Sequence, residues 1–474
     1  MTQQPDWKNV DLRALARTGP VHFMGVAGAG MSALAELLVH EGGTVTGCDL
    51  RPSAAGAALQ SRGVAIHQGH DASHVEDAVA LVVTSAIPSS HPELAAARER
   101  GIPVLKRAQA LGAIVNRGTV IAIAGTHGKT TTTAAATAIL DAAGIDPTGL
   151  VGGRMPSWGG GLRAGKSDVF VVEADEYDRS FMTLQPTAAV VTSVEADHLD
   201  IYGDLAGVEQ AFVEFLGQVR ADGLVAVCSD DPGAARAGAA VTDRRVLTYG
   251  TGEGADLRAT GIRQTGRTMA FTVTENGQTL GEVNLAAPGL HNIRNALGAF
   301  AAARHAGADF EAAQRALPGF SGVARRFQEL GTAAGVTFVD DYAHHPTEVD
   351  ATLATARGAY PGQRIIAVFQ PHLYSRTRDL AGEFGRALAV ADAIWVTDVY
   401  PAREAPIEGV TGALVADAAR AANGGVVEYV PTLDEMHRAL RAELRDGDVV
   451  VAMGAGNIDE MAHDMFRAMG GGAE

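Results

Sequence analysis

Gly125-Thr126-His127-Gly128 followed by Lys129-Thr130-Thr131 is the chain's densest concentration of phosphate chemistry. Glycines let backbone N–H groups converge on oxygen anions. A helix N-terminus adds a positive partial charge there, and a lysine supplies a point charge. A threonine hydroxyl beside that lysine is placed to ligate Mg²⁺. The pattern is a shortened P-loop, since Ile123 stands where the usual spacing has glycine. A strand–turn–helix junction without a ligand would use the same glycines. The lysine argues against that reading, because the chain has Lys only at 8, 106, 129 and 166 and otherwise uses Arg.

Further groups that do chemistry follow short apolar runs. Val169–Val172 delivers Glu173-Ala174-Asp175-Glu176, and Ala188–Val194 delivers Glu195-Ala196-Asp197-His198. Acids at a strand's C-terminal end in an open α/β sheet lie at the ligand crevice. Glu173 is therefore expected to hold Mg²⁺, with the roles of Asp175 and Glu176 left open. His198, between two acids, is a metal or proton-transfer candidate. A His ligand suits Mn²⁺ as well as Mg²⁺. His291-Asn292-Ile293-Arg294-Asn295 opens a helix on which Asn292 and Asn295 share a face, either to grip a base edge or to cap the helix. Asp340, Asp341, His344 and His345 follow the run Val336–Val339, and Arg376 and Arg378 are natural partners for carboxylate or phosphate.

The elements that must position these groups alternate regularly. Val120–Ala124 reads as a buried strand and Lys129 to Ala143 as a helix that Gly144 ends. Near the start, the strand Val21–Met24 leads into Gly25-Val26-Ala27-Gly28-Ala29-Gly30, then a helix to His40 and a strand from Thr44 ending at Asp49. That is a diphosphate turn with an acid at ribose distance, although its glycines are spaced G-x-x-G-x-G rather than G-x-G-x-x-G. Residues 151–161 read as a Gly-rich loop and residues 245–285 as short strands separated by turns. Strand–helix alternation throughout predicts parallel sheets.

Bulk composition narrows the class. The 474 residues suit about three domains. A net charge of −17 argues against a nucleic-acid surface, so phosphates must be held by local devices. Cys48 and Cys228 are the only cysteines, which excludes a disulfide framework and a Cys-based zinc site; both read as small buried thiols. The first residues are polar and no run reaches the length of a membrane span, so the expected compartment is the cytoplasm with no membrane partner.

The blocks GTHGKTTTT, VEADEYDRSF, EADHLDIY, HNIRN, ARRF, DDYAHHPTE, FQPHLYSRTRDL and GAGNI, in this order, resemble the signature blocks of the Mur ligase family, from about His22 to about Asn457. The resemblance implies three α/β domains. These would be a Rossmann-like UDP-sugar domain (1–107), a central P-loop-type ATPase domain with a parallel sheet (108–322), and a C-terminal Rossmann-like domain that closes on ATP and the amino acid (323–474).

The resemblance also implies ATP-dependent amide-bond formation in peptidoglycan precursor synthesis. The carboxylate of UDP-N-acetylmuramate would be activated as an acyl phosphate and joined to L-alanine, with ADP and phosphate released. Lys129 would stabilise the β/γ phosphates, within a cradle of Gly125, Thr126, His127, Gly128, Thr130 and Thr131. Thr130 and Glu173 would hold one Mg²⁺ and His198 a second. His291, Asn292 and Asn295 would frame the adenine, with Arg326 and Asp341 reaching the nucleotide. Gly28, Ala29, Gly30 and Asp49 would receive the UDP moiety, with Ser85 nearby, and His345 and Arg376 would place the amino acid and acyl phosphate. Leu373 stands where many members have Arg. The expected assembly is a monomer or weak dimer. Rival readings are a recycling ligase that adds a whole tripeptide to the same sugar, a nicotinamide-dependent oxidoreductase, and a regulatory ATPase.

Overall fold

The computed structural model describes residues 6–472, apart from 85, 86, 321, 403 and 424. Three sheets organise these residues. The first has five parallel strands in the order Ala65–Gln68, Val45–Asp49, Val21–Met24, Ala80–Val83, Val104–Lys106. Strand order reverses beside Val21–Met24, and the crevice at such a switch point is where open α/β sheets take ligands. The glycine turn leaves that strand directly into the helix Ala29–His40.

The second sheet has ten strands. In order they are Gln278–Leu285, Thr268–Glu275, Leu257–Thr265, Arg245–Gly250, Leu224–Cys228, Ala188–Val191, Thr119–Ala124, Val169–Glu173, Thr148–Met155 and Gly160–Arg163. The strands from Arg245 inward to Val169 pair in parallel. Their centres, Val120–Ala124, Val169–Val172, Ala188–Val191 and Leu224–Cys228, are buried throughout. Helices covering both faces explain why these runs are continuously apolar instead of alternating.

The expected loop at 151–161 is a β-hairpin. Thr148–Met155 pairs antiparallel with Gly160–Arg163, with a register shift between Leu150 and Met155. Glycine makes this possible: a Cβ on Gly161 would come within 2.7 Å of the Val151 carbonyl oxygen. A Gly-rich run reads as loop in one dimension, yet here it lets the edge strand Gly160–Arg163 approach its neighbour closely.

The third sheet runs Gln328–Ala333, Val336–Asp341, Asp448–Met453, Arg364–Phe369, Ala393–Val396, Val426–Tyr429, parallel apart from the first pair. Alternate residues separate its two cores. Ile365, Ala367 and Phe369 pack with Leu353, Phe384 and Val415, whereas Ile366 and Val368 pack with Met436, Met461 and Met465. Each of these buried side chains larger than alanine contributes roughly 1.5–3 kcal/mol. Asp340 and Asp341 lie within the strand itself, not in the loop after it.

The chain forms two compact units. One comprises Met1–Gly261, Phe271–Val283 and Arg294–Phe320; the other comprises Ile262–Ala270, Asn284–Ile293 and Ser321–Glu474. Among the described residues no helix is long and apolar enough to cross a membrane.

Candidate active site

In the first unit, the strand Thr119–Ala124 gives way to a turn at residues 125–128, and the helix Lys129–Ala142 begins directly after it. The turn between them is pinned to the segment after Ala188–Val191. Thr126 N–H donates to the Ser193 carbonyl (2.9 Å), His127 N–H to Ser193 Oγ (3.0 Å) and Glu195 N–H to Thr126 Oγ1 (2.9 Å). Two glycines are obligatory. Gly125 has φ +136°, and a Cβ there would meet Thr192 Oγ1 at 2.0 Å; Gly128 has φ +83°, and its Cβ would meet Asn295 Oδ1 at 2.5 Å. A helix leaves its first N–H groups without intrahelical partners, so those of Lys129 to Thr131 converge at the mouth of the turn.

Lys129 Nζ bends back over the turn, donating to the Gly125 carbonyl (2.5 Å) and to both carboxylate oxygens of Glu176 (2.9 and 2.8 Å). Burial works against its charge, but the carboxylates of Glu176, Asp175 and Glu173 outweigh that and hold its pKa above the ordinary value. His198 Nε2 lies 3.9 Å from Glu176 Oε1, and its ring stands edge-on to Tyr177. Glu176 thus links the lysine to the histidine. That connection is readable in the sequence only as one more acid in the run after Val172.

Glu173 accepts from Gly152 N–H (2.8 Å) and is hydrogen-bonded to the Thr130 side chain. Desolvation pushes its carboxyl up, against the opposing pull of those two donors and of Lys129. Thr130 and Glu173 therefore meet, presenting hard oxygen donors beside the cradle. This set fits Mg²⁺, with His198 on the other side of Glu176.

Glu173 also lines a cavity of ≈ 250 Å³, together with Asp175, Gly152, Arg107 and, from the glycine-turn helix of the first sheet, Gly30 and Ala33. Arg107, which sequence reading did not single out, pairs with Asp175 (3.3 Å) and packs against Gly30. The turn itself is held from within. Ala27 N–H donates to Asp49 Oδ2 (3.0 Å), and the Cys48 carbonyl accepts from Gly25 and Val26. Gly28 is the N-cap of the helix that Ala29 and Gly30 begin. Ser85 lies outside the described residues.

Asn295 packs on Gly128, so it touches the cradle directly. In the second unit, Asn292 donates from its amide to the Pro288 carbonyl (2.7 Å), and His291 precedes it in the same helical turn. Arg326 stacks on Tyr342 and pairs with Glu348 (3.4 Å). Asp341 is buried, accepting from the Phe327 and Ala343 N–H groups (2.7 and 2.8 Å), and desolvation lifts its pKa to about 6 against the pull of Arg326. This carboxylate ties the Arg326 segment to its strand. His345 caps the helix Pro346–Ala359, with Glu348 completing the capping box. Arg376 lies in the first turn of the helix Tyr374–Leu388. Leu373 enters that helix with φ +70°, a backbone conformation unusual for a branched residue.

Comparison with known proteins extends these local observations. Three family models match in succession: "Mur ligase family, catalytic domain" over 20–119, "Mur ligase middle domain" over 123–303 and "Mur ligase, glutamate ligase domain" over 325–456. The chain is 44% identical over 446 residues to the UDP-N-acetylmuramate–L-alanine ligase of Salinibacter ruber, covering 94% of each chain. The UDP-N-acetylmuramate–alanine ligase structure from Thermotoga maritima aligns with TM-score 0.80 at 28% identity, covering 95% of this chain and 99% of that one. A murein peptide ligase from Psychrobacter arcticus aligns with TM-score 0.68 at 26% identity, covering 96% and 100%.

Proposed function

We propose the reaction of this chain from one premise: it belongs to the Mur ligase family. Its fold is the three-domain α/β arrangement of that family. It is an ATP-dependent ligase that joins L-alanine to the carboxylate of UDP-N-acetylmuramate, a step in making peptidoglycan precursors. The observation that carries the site assignment is the shared cavity, in which Glu173 of the ATP cradle and Gly30 of the first glycine turn face the same space. A UDP-sugar anchored at Gly28–Gly30 and Asp49 places its carboxylate there, next to a γ-phosphate held over Lys129.

The chemistry follows from what a carboxylate lacks. Oxide is too poor a leaving group for an amine to displace at neutral pH. The carboxylate oxygen therefore attacks the γ-phosphorus, the bond to the β-phosphate oxygen breaks, and ADP leaves. The alanine amine adds to the acyl phosphate carbon, loses a proton, and phosphate departs. The protein's share is alignment and charge neutralisation. Lys129 exchanges Glu176 for phosphate oxygens, the cradle N–H groups take the remaining negative charge, and Asn295 fixes the shape of the turn at Gly128. Thr130 and Glu173 would hold one Mg²⁺ and His198 a second, a site that would also suit Mn²⁺; bound there, the ions would supply positive charge beside the phosphates and the carboxylate. Arg326, His345 and Arg376 position the acyl phosphate and amino acid, and His291 and Asn292 frame the adenine. Each sheet belongs to one domain, with boundaries near 107 and 322, and the chain works in the cytoplasm as a monomer or weak dimer.

Phosphate release tests the coupling. It is expected only when UDP-N-acetylmuramate is present with ATP, and to be sustained only when L-alanine is added. ATP hydrolysis indifferent to both would make the chain a nucleotide sensor instead.

A further inference from the structure

A second cluster of ligating side chains lies in the first sheet, away from the cradle. His22 on the strand Val21–Met24, Cys48 on Val45–Asp49, His74 in the 3₁₀ turn Ala72–Val75 and Glu93 on the helix Pro92–Glu99 each offer a ligand atom within 4.8 Å of the others. His22, Cys48 and Glu93 are fully buried. We propose that these four residues form a binding site for a borderline-soft divalent cation, zinc, beneath the glycine turn.

The spacing carries the argument. Zinc bound tetrahedrally at ≈ 2.3 Å from sulfur and ≈ 2.0–2.1 Å from nitrogen or oxygen puts sulfur about 3.6 Å from each lighter ligand. Here Cys48 Sγ lies 3.4 Å from His22 Nε2 and 3.5 Å from Glu93 Oε2. These two edges through the sulfur are therefore nearly those of a loaded site, and His74 Nδ1 lies 2.9 Å from Glu93 Oε1 on the cluster's other side. The surrounding contacts are those of an oriented metal site. His22 Nδ1 is hydrogen-bonded to Thr46 Oγ1 (2.9 Å), which leaves Nε2 directed at the sulfur. Glu93 also accepts from Asp71 N–H (2.9 Å), which fixes the carboxylate. A further ligating side chain adjoins the four, since His70 Nδ1 lies 3.3 Å from the same sulfur. Two cysteines exclude a Cys-only zinc site, but one thiolate with two imidazoles and a carboxylate is a sufficient donor set. Loading replaces the thiol proton with metal, so binding releases a proton. The consequence is local. Cys48 supplies the carbonyl that receives Gly25 and Val26 N–H, and Asp49 beside it holds Ala27. A cation here would brace the turn from below.

The test uses the full chain, stripped with a chelator and then titrated with Zn²⁺ against a chromophoric zinc indicator in millimolar Mg²⁺, and separately loaded with Co²⁺. One equivalent of Zn²⁺ with submicromolar affinity is expected, with a thiolate-to-cobalt charge-transfer band in the near ultraviolet. Cys48→Ala should lose the band and Cys228→Ala keep it, and His74→Ala should weaken Zn²⁺ binding at least tenfold. The band retained in Cys228→Ala decides the matter even if the Cys48 variant fails to fold. No stoichiometric Zn²⁺, or Co²⁺ bound without a thiolate band, overturns the proposal. Neither outcome bears on the ligase reading.

Discussion

Glu176→Gln separates the cradle's resting arrangement from its working one. The Lys129 and Glu176 side chains are only 16% and 4% exposed, with Nζ 2.8 Å from the nearer carboxylate oxygen. Removing one partner of a buried pair costs about 3–5 kcal/mol. Lys129 keeps the carbonyls of Gly125 and Thr126 at 2.5 and 3.3 Å and the fields of Asp175 and Glu173. The loss should therefore fall at the low end, about 3 kcal/mol, or roughly 6–12 °C in Tm for a domain the size of the central one. ATP phosphates offer the lysine a replacement anion. A non-hydrolysable ATP analogue with Mg²⁺ should restore most of the deficit and raise Tm more in the variant than in wild type, as differential scanning fluorimetry with and without the analogue would read. An equal deficit in both conditions would make the pair a structural ion pair unconnected with phosphate binding and refute the reasoning.

Gly128→Ala forces φ +83° on a residue with a Cβ and drives that atom into Asn295. It should cost about 1–2 kcal/mol of stability and lower kcat/KM for ATP by more than a hundredfold, measured by coupled ADP release. Thr130→Val keeps the volume but removes the oxygen donor beside Glu173, so it should raise the Mg²⁺ concentration for half-maximal rate at least tenfold with little change in Tm. Desolvation raises Asp341 to about 6 and Asp340 to about 7. Each therefore adds stability that is complete below the unfolded carboxyl range near pH 4 and is lost as pH rises through its folded value. Urea midpoints should thus fall as pH rises from 4 to 7. Asp341→Asn should about halve the slope between pH 4 and 6 and leave the remainder to Asp340, while lowering stability throughout because one of the Phe327 and Ala343 N–H groups loses its acceptor.

The positions of the sheets and the cradle were legible because buried parallel strands are continuously apolar and glycine–lysine turns are rare. Thr130 meeting Glu173 follows from the same logic, since neighbouring parallel strands bring their C-terminal ends together. Three features were not legible. The hairpin 148–163 hides behind glycines whose use is close approach, not looping. The Lys129–Glu176 pair depends on how the chain bends after Glu173, where Asp178 and Arg179 both take positive φ. The cluster at Cys48 is assembled from residues 22 to 93, and no local spacing announces it. Asp341 is the instructive case. The family resemblance implied a reach toward the nucleotide, whereas nothing in the local spacing announced that its two oxygens also accept from the Phe327 and Ala343 N–H groups.

The most direct measurement is the mass of the product formed from ATP, Mg²⁺ and UDP-N-acetylmuramate with either L-alanine or the tripeptide. The account predicts a UDP-sugar heavier by one alanine residue, with one phosphate released per bond formed. Addition of the tripeptide alone would assign the chain to recycling, and no product with either amine would contradict the ligase reading.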